Sequence, residues 1–157
     1  MSKAELDQVF VGRLLLGRVM GSLITAHDRA LAPFDLTAHQ GNMLLNCLRQ
    51  EGNTPAELAA LNGLYVSTIT RMVDRLERKG LLTRTRSQKD RRQVLLRITP
   101  KGRAVVRKAI PVARRVALDA WQGVTEQERN ALRSIVDKIL RNLGHNPGKS
   151  GRRKPAI

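Results

Sequence analysis

Aromatic side chains are almost absent from this 157-residue chain, which has two Phe, one Tyr and one Trp. A protein that stacks splayed bases on aromatic platforms needs more of them. A core without rings must be filled by Leu, Val, Ile and Ala, which suits packed helices. Cysteine occurs once, as Cys47, so no internal disulfide can form and a reducing compartment is permitted. No apolar run approaches the roughly 20 residues of a membrane span. Residues Met1 to Gln8 include Glu5 and Asp7, lack an apolar centre and do not read as a signal peptide, so the expected location is the cytoplasm. His27, His39 and His145 show no ligand spacing with Cys or carboxylates, so no metal is expected. There is no nucleophile–base pair, Gly-rich phosphate loop or carboxylate dyad. Neither a cofactor nor an enzymatic activity is expected.

Positive charge is what the chain has in excess, with 29 Lys and Arg against 13 Asp and Glu and a net charge of +16. The excess is uneven. Residues 1–50 carry five basic and four acidic side chains, and residues 51–157 carry twenty-four and nine. Such asymmetry places a polyanion-binding region beside a nearly neutral one. A membrane surface would call for a basic amphipathic helix with Trp or Phe on its apolar side, and none is found, so no membrane partner is expected. The polyanion is therefore read as nucleic acid.

The hydrophobic periodicity divides the chain into helices and one β-hairpin. From Ala4 to Ala32 the apolar positions recur at helical spacing, and Pro33 ends the segment. Thr37 is an N-cap for a second helix carrying Met43, Leu44, Leu45 and Leu48. Gly52 stops it. Thr54, Pro55 and Glu57 form a capping box that opens a short helix, closed by Gly63. A helix from Val66 to Lys79 has the stripe Ile69, Met72, Val73 and Leu76, and Gly80 stops it. The period then changes. Leu81 to Arg86 and Gln93 to Thr99 read as strands around a polar turn. Thr99 and Pro100 open a long helix that Pro111 is expected to kink or divide. Thr125 and Glu128 form another capping box before a last amphipathic helix. The tail from Gly144 onward is basic, without apolar periodicity, and is expected to be mobile.

Helix, tight glycine turn, helix and hairpin, in that order, describe a helix-turn-helix followed by a wing. The second helix of such a unit lies in a major groove. Ser67, Thr68, Thr70, Arg71 and Arg75 lie off its apolar stripe, and their hydroxyls and guanidiniums suit base edges and phosphates. From Arg84 to Arg103 there are eight basic residues and one acid, Asp90. Arg86, Lys89, Arg91 and Arg92 sit at or near the hairpin tip, placed for flanking phosphates or the minor groove. Asp90 near phosphates would repel them, so it reads as structural. Pairing with Arg92 or Arg71 would hold the wing in shape.

The stretch from Thr54 to Gly102, TPAELAALNGLYVSTITRMVDRLERKGLLTRTRSQKDRRQVLLRITPKG, resembles the MarR family of winged-helix regulators. The family's wing signature, Asp-x-Arg, five residues, then Leu-Thr, is read here as Asp90 and Arg92, then Ile98 and Thr99. TITRMVDRLERKGLL is similar to the family's recognition helix and the start of its wing. The resemblance implies a mainly α fold with a small β-hairpin wing. Residues 1–34 would be an N-terminal dimerisation helix, 35–100 the winged helix-turn-helix region, 101–144 C-terminal dimerisation helices and 145–157 the basic tail.

By the same resemblance the chain is a regulator, a repressor, that binds duplex DNA at a pseudo-palindrome as a homodimer. It would be released by a small effector, an aromatic acid or its thioester. Arg13, Arg18 and His39 are the cations expected near an effector cleft. Tyr65 stands where the family usually has Ser, Asp or Thr as cap. Either the cap shifts to Ser67, or Tyr65 itself touches DNA or ligand. Two other readings stay open: a redox-sensing regulator working through Cys47, and an architectural nucleic-acid protein whose binding is dominated by charge.

Overall fold

Three threonines set where three of the helices begin. The computed structural model describes residues 3–50, 53–88 and 90–144, with side chains described from residue 12 onward. Helix α1 (Lys3–Leu31) gives way to a single turn of 3-10 helix, Ala32–Phe34, where Pro33 cannot continue the hydrogen-bond ladder. Thr37, Thr54 and Thr125 each cap a helix reciprocally, with Gln40, Glu57 and Glu128 reaching back to the cap. The helices so started are α2 (Ala38–Arg49), α3 (Pro55–Asn62) and α6 (Glu126–Asn142). Between them come α4 (Val66–Arg78), strands β1 (Leu82–Arg86) and β2 (Val94–Ile98), and α5 (Pro100–Ala120).

The chain forms two compact units, Met1–Ala120 and Trp121–Ile157. The core of the first is aliphatic. Leu31 and Leu36 close the α1–α2 corner, and Met43, Leu44 and Cys47 come from α2. Leu58 and Ala59 come from α3, and Ile69, Val73 and Leu76 from α4. Leu81, Leu82, Leu96 and Ile98 of the hairpin and Val106 and Ala109 of α5 complete it. Each fully buried aliphatic side chain of this size is worth about 1.5–3 kcal/mol relative to exposure. The first half of α5 thus belongs to the same core as the helix-turn-helix, and α1 packs on both α2 and α5.

The two strands pair antiparallel, Leu82 opposite Ile98 and Arg86 opposite Val94. A third segment joins them, because the Leu96 N–H donates to the Asn53 carbonyl at 2.8 Å. Asn53 is buried, and its side-chain amide donates to the Gln50 carbonyl at 2.7 Å, so the end of α2 is tied to β2 through one residue. Thr99 fastens the other end of the hairpin. Its hydroxyl donates to the Gly80 carbonyl at 2.7 Å and accepts the Gly102 N–H at 2.9 Å. Gly102 is required by close approach, since a Cβ there would stand 2.2 Å from the Leu81 carbonyl oxygen.

Pro111 does not divide α5, contrary to the expectation above; the helix runs through it unbroken. Both Pro111 and Arg107, whose carbonyl loses the proline's missing N–H, are exposed, so water can satisfy that carbonyl. In the second unit, the Glu128 carboxylate accepts the backbone N–H and the hydroxyl of Thr125, which holds its pKa below the ordinary value.

Candidate nucleic-acid interface

Gly63 makes the turn between α3 and α4. It ends α3 at φ +62°, a left-handed conformation that glycine adopts without strain, and donates to the Ala60 carbonyl at 3.4 Å. Ile69, Val73 and Leu76 then bury one stripe of α4 completely. At about 100° per residue the opposite side carries Ser67, Arg71, Asp74 and Arg78. Thr70 and Glu77 flank that face on one side, and Thr68 and Arg75 on the other. Ser67, Thr68, Thr70, Arg71 and Arg75 are all exposed, together on one helix.

Two details differ from the sequence reading. The cap of α4 does not shift to Ser67: Tyr65 is the N-cap, and its carbonyl receives the N–H groups of Thr68 at 3.0 Å and Ile69 at 3.1 Å. A tyrosine offers no short side-chain acceptor, so the helix starts without a side-chain cap and the Tyr65 ring is 83% exposed. The Thr70 hydroxyl donates to the Val66 carbonyl at 3.0 Å, so its proton is engaged within the helix.

The wing stands on α4 through Arg84. This side chain reaches Asp74 at 2.6 Å and engages Glu77 as well, while the Arg84 N–H donates to Glu77 at 2.9 Å. Sequence reasoning missed this clamp. Its one local trace was a pair of acids, Asp74 and Glu77, three apart on a helix otherwise rich in arginine. At the tip, Asp90 Oδ1 accepts the Arg92 backbone N–H at 3.0 Å, and the Asp90 N–H donates to the Ser87 hydroxyl at 3.3 Å. The Asp90–Arg92 relationship therefore runs through the main chain. Among the described residues no ion pair joins Asp90 to Arg92 or to Arg71. Arg86, Arg91 and Arg92 are exposed along this hairpin, and Lys89 lies outside the described residues, as does the tail from residue 145.

A cleft of about 310 Å³ opens between the α1–α2 corner and α4, lined by Asp28, Thr37, His39, Gln40, Thr68, Arg71, Met72 and Arg75. It brings His39 together with two arginines of α4. Arg13 and Arg18 do not line it and are exposed further back on α1. Arg71 and Arg75, which the sequence reading assigned to DNA alone, also line this cleft.

Cys47 is fully buried on α2, and that burial pushes its thiol pKa up to about 11. A sensing cysteine needs the opposite, a lowered pKa and access. Among the described residues no three His, Cys, Asp or Glu side chains cluster for a metal ion, and no helix is long and apolar enough to cross a membrane.

The MarR family profile matches residues 36–94. The transcriptional repressor MprA of Escherichia coli K12 is 32% identical over 89 residues, 57% of this chain and 51% of MprA, so the chain spans about half of that relative. The multiple antibiotic resistance protein MarR of Salmonella typhimurium is 32% identical over 133 residues, 80% of this chain and 90% of that protein. Among solved structures, a point mutant of Escherichia coli MarR complexed with operator DNA superposes with a TM-score of 0.78 at 25% identity, covering 85% of this chain and 96% of that one. CouR from Rhodococcus jostii RHA1, bound to p-coumaroyl-CoA, gives 0.75 at 31% identity over 88% of this chain and 95% of that one.

Proposed function

The chain belongs to the MarR family, and from that premise we propose that it is a transcriptional repressor that binds a pseudo-palindromic DNA operator as a homodimer. The observation that carries this reading is α4. It turns a buried aliphatic stripe inward and exposes Ser67, Thr68, Thr70, Arg71 and Arg75, beside a hairpin exposing Arg86, Arg91 and Arg92. Lys89 is assigned to the same wing from its sequence position. A helix of this kind fits the major groove, and the arginine-rich hairpin fits the flanking backbone.

The terminal helices supply the dimer surface. Leu14, Leu15, Leu16, Val19 and Met20 are exposed on α1, and Leu132, Ile135 and Ile139 on α6, with Leu143 just beyond it. Apolar stripes of that extent are suited to covering by a second copy.

Release is assigned to a small aromatic acid or its thioester, whose anionic group would meet Arg71, Arg75 and His39 in the cleft of about 310 Å³. The p-coumaroyl-CoA bound to CouR lends support to that ligand class.

Selection of bound duplexes from a random pool tests the core of the proposal. The expected product has two symmetric half-sites about one helical turn apart, roughly 34–36 Å. With Arg71→Ala, discrimination at one position per half-site should relax by on the order of 1–3 kcal/mol. Equal binding to every duplex, governed by salt alone, would establish the architectural reading instead.

A further inference from the structure

Val66 opens α4 and is 49% exposed, whereas the helix's own apolar stripe is fully buried. Nothing in the phosphate and base-edge contacts above employs it. The N-terminal residues of a recognition helix are those that reach base edges. Val66 occupies the first of those positions, on the Thr70 side of the helix. Thr70 reinforces the apolar character of that edge, because its hydroxyl proton is engaged by the Val66 carbonyl at 3.0 Å. The edge therefore presents aliphatic carbon rather than a free donor. In the major groove only one feature of a base pair rewards such carbon, the C5-methyl of thymine.

We propose that Val66 reads a thymine methyl in each half-site of the operator, which makes it a specificity-determining residue. The inference rests on the DNA-binding reading given above. Covering one methyl-sized group is worth about fourfold in affinity, and about fifteenfold when both half-sites contribute.

The test uses the full-length protein and the duplex it selects. Each thymine of that duplex is replaced in turn by uracil, which removes the methyl and leaves the Watson–Crick edge intact. Wild-type protein should lose about fourfold at one position per half-site. Val66→Ala should bind the thymine duplex more weakly and no longer distinguish thymine from uracil there. Leu61→Ala removes an exposed side chain from α3, and Tyr65→Ser removes the neighbouring ring while providing a capping hydroxyl; both should retain the discrimination. Circular dichroism confirms that each variant is folded. A selected operator with no methyl-sensitive position overturns the assignment of Val66 alone. So does discrimination that survives Val66→Ala, or that is lost in Tyr65→Ser. Failure to select any sequence overturns the regulator reading itself and this inference with it.

Discussion

Arg84 Nη2 of β1 lies 2.6 Å from Asp74 Oδ1 of α4, and the same guanidinium engages Glu77 one turn further on. Two carboxylates spaced along one face of α4 thus fix the angle at which β1 leaves it. A planar fork can hold two carboxylates at once, and an ammonium meets them only as a point charge. The group is partly exposed, so its share of global stability is roughly 0–1 kcal/mol. Arg84→Ala should leave the melting temperature nearly unchanged. It should weaken specific DNA binding by roughly tenfold, about 1.4 kcal/mol, and binding to random duplex by less. Arg84→Lys should recover only part. An equal loss on both duplexes, measured at one salt concentration, would reduce Arg84 to a bulk charge.

Asp90 allows turn geometry and charge to be separated. Its Oδ1 accepts the Arg92 N–H at 3.0 Å. Asp90→Asn keeps an acceptor and removes a negative charge near phosphate, so it should bind DNA at least as tightly as wild type. Asp90→Ala removes both acceptor and charge. If the turn shapes the wing, the alanine variant binds the operator more weakly than the asparagine variant, although their formal charges are equal. Indistinguishable titrations would mean that the hydrogen bond does not set the wing.

Gly102→Ala should destabilise the first unit. The added Cβ would stand 2.2 Å from the Leu81 carbonyl and 2.9 Å from Ile98 Cγ1, so the start of α5 must move off the hairpin. Overpacking of this kind costs about 1–3 kcal/mol. For a chain of this length that corresponds to roughly 2–12 °C in thermal midpoint. An unchanged midpoint would show that the α5–hairpin joint yields freely.

Cys47 should behave as a core residue. Its thiol pKa of about 11 lies above the ordinary value, so the buried thiolate is disfavoured. The unfolded chain therefore loses this proton first as pH rises. The thiol's contribution to stability is full below the ordinary thiol range, near 8.5, and falls as pH climbs from there toward 11. At pH 7 a thiol reagent should modify the native protein slowly and the denatured protein fast, and peroxide should leave DNA affinity unchanged. Rapid native labelling would reopen the redox reading.

Local signals account for what could be read before the structure. Thr37, Thr54 and Thr125 start helices because a short hydroxyl reaches the N–H three residues on, and Gly63 stops one because it alone enters the left-handed region without strain. The hairpin announced itself by a change of period at Gly80. What stayed hidden depends on residues distant in sequence. Asn53 carries no pattern that marks it as the third partner of β2. Arg84 looks like any wing arginine until α4 lies beside it. Gly102 is needed only because Leu81 passes so close, and Arg71 and Arg75 line a cleft only once the α1–α2 corner meets α4. Pro111 misled because proline breaks helices on average, whereas an exposed carbonyl tolerates the lost bond.

The ring-free core has a practical consequence for spectroscopy. Among the described residues sixteen buried side chains form the interior of the first unit and none is aromatic, Phe34 being only partly buried against them. The single Trp, Trp121, begins the second unit, and the single Tyr, Tyr65, is exposed at the start of α4. Tryptophan emission therefore samples the C-terminal unit, and tyrosine emission the exposed start of α4, without overlap of residue type. Melting of the first unit's interior has neither a Trp nor a Tyr reporter inside it and must be followed through the backbone. A tryptophan-monitored unfolding curve can differ from a far-ultraviolet one in this protein simply because the first observes the second unit and the other observes the helices of both.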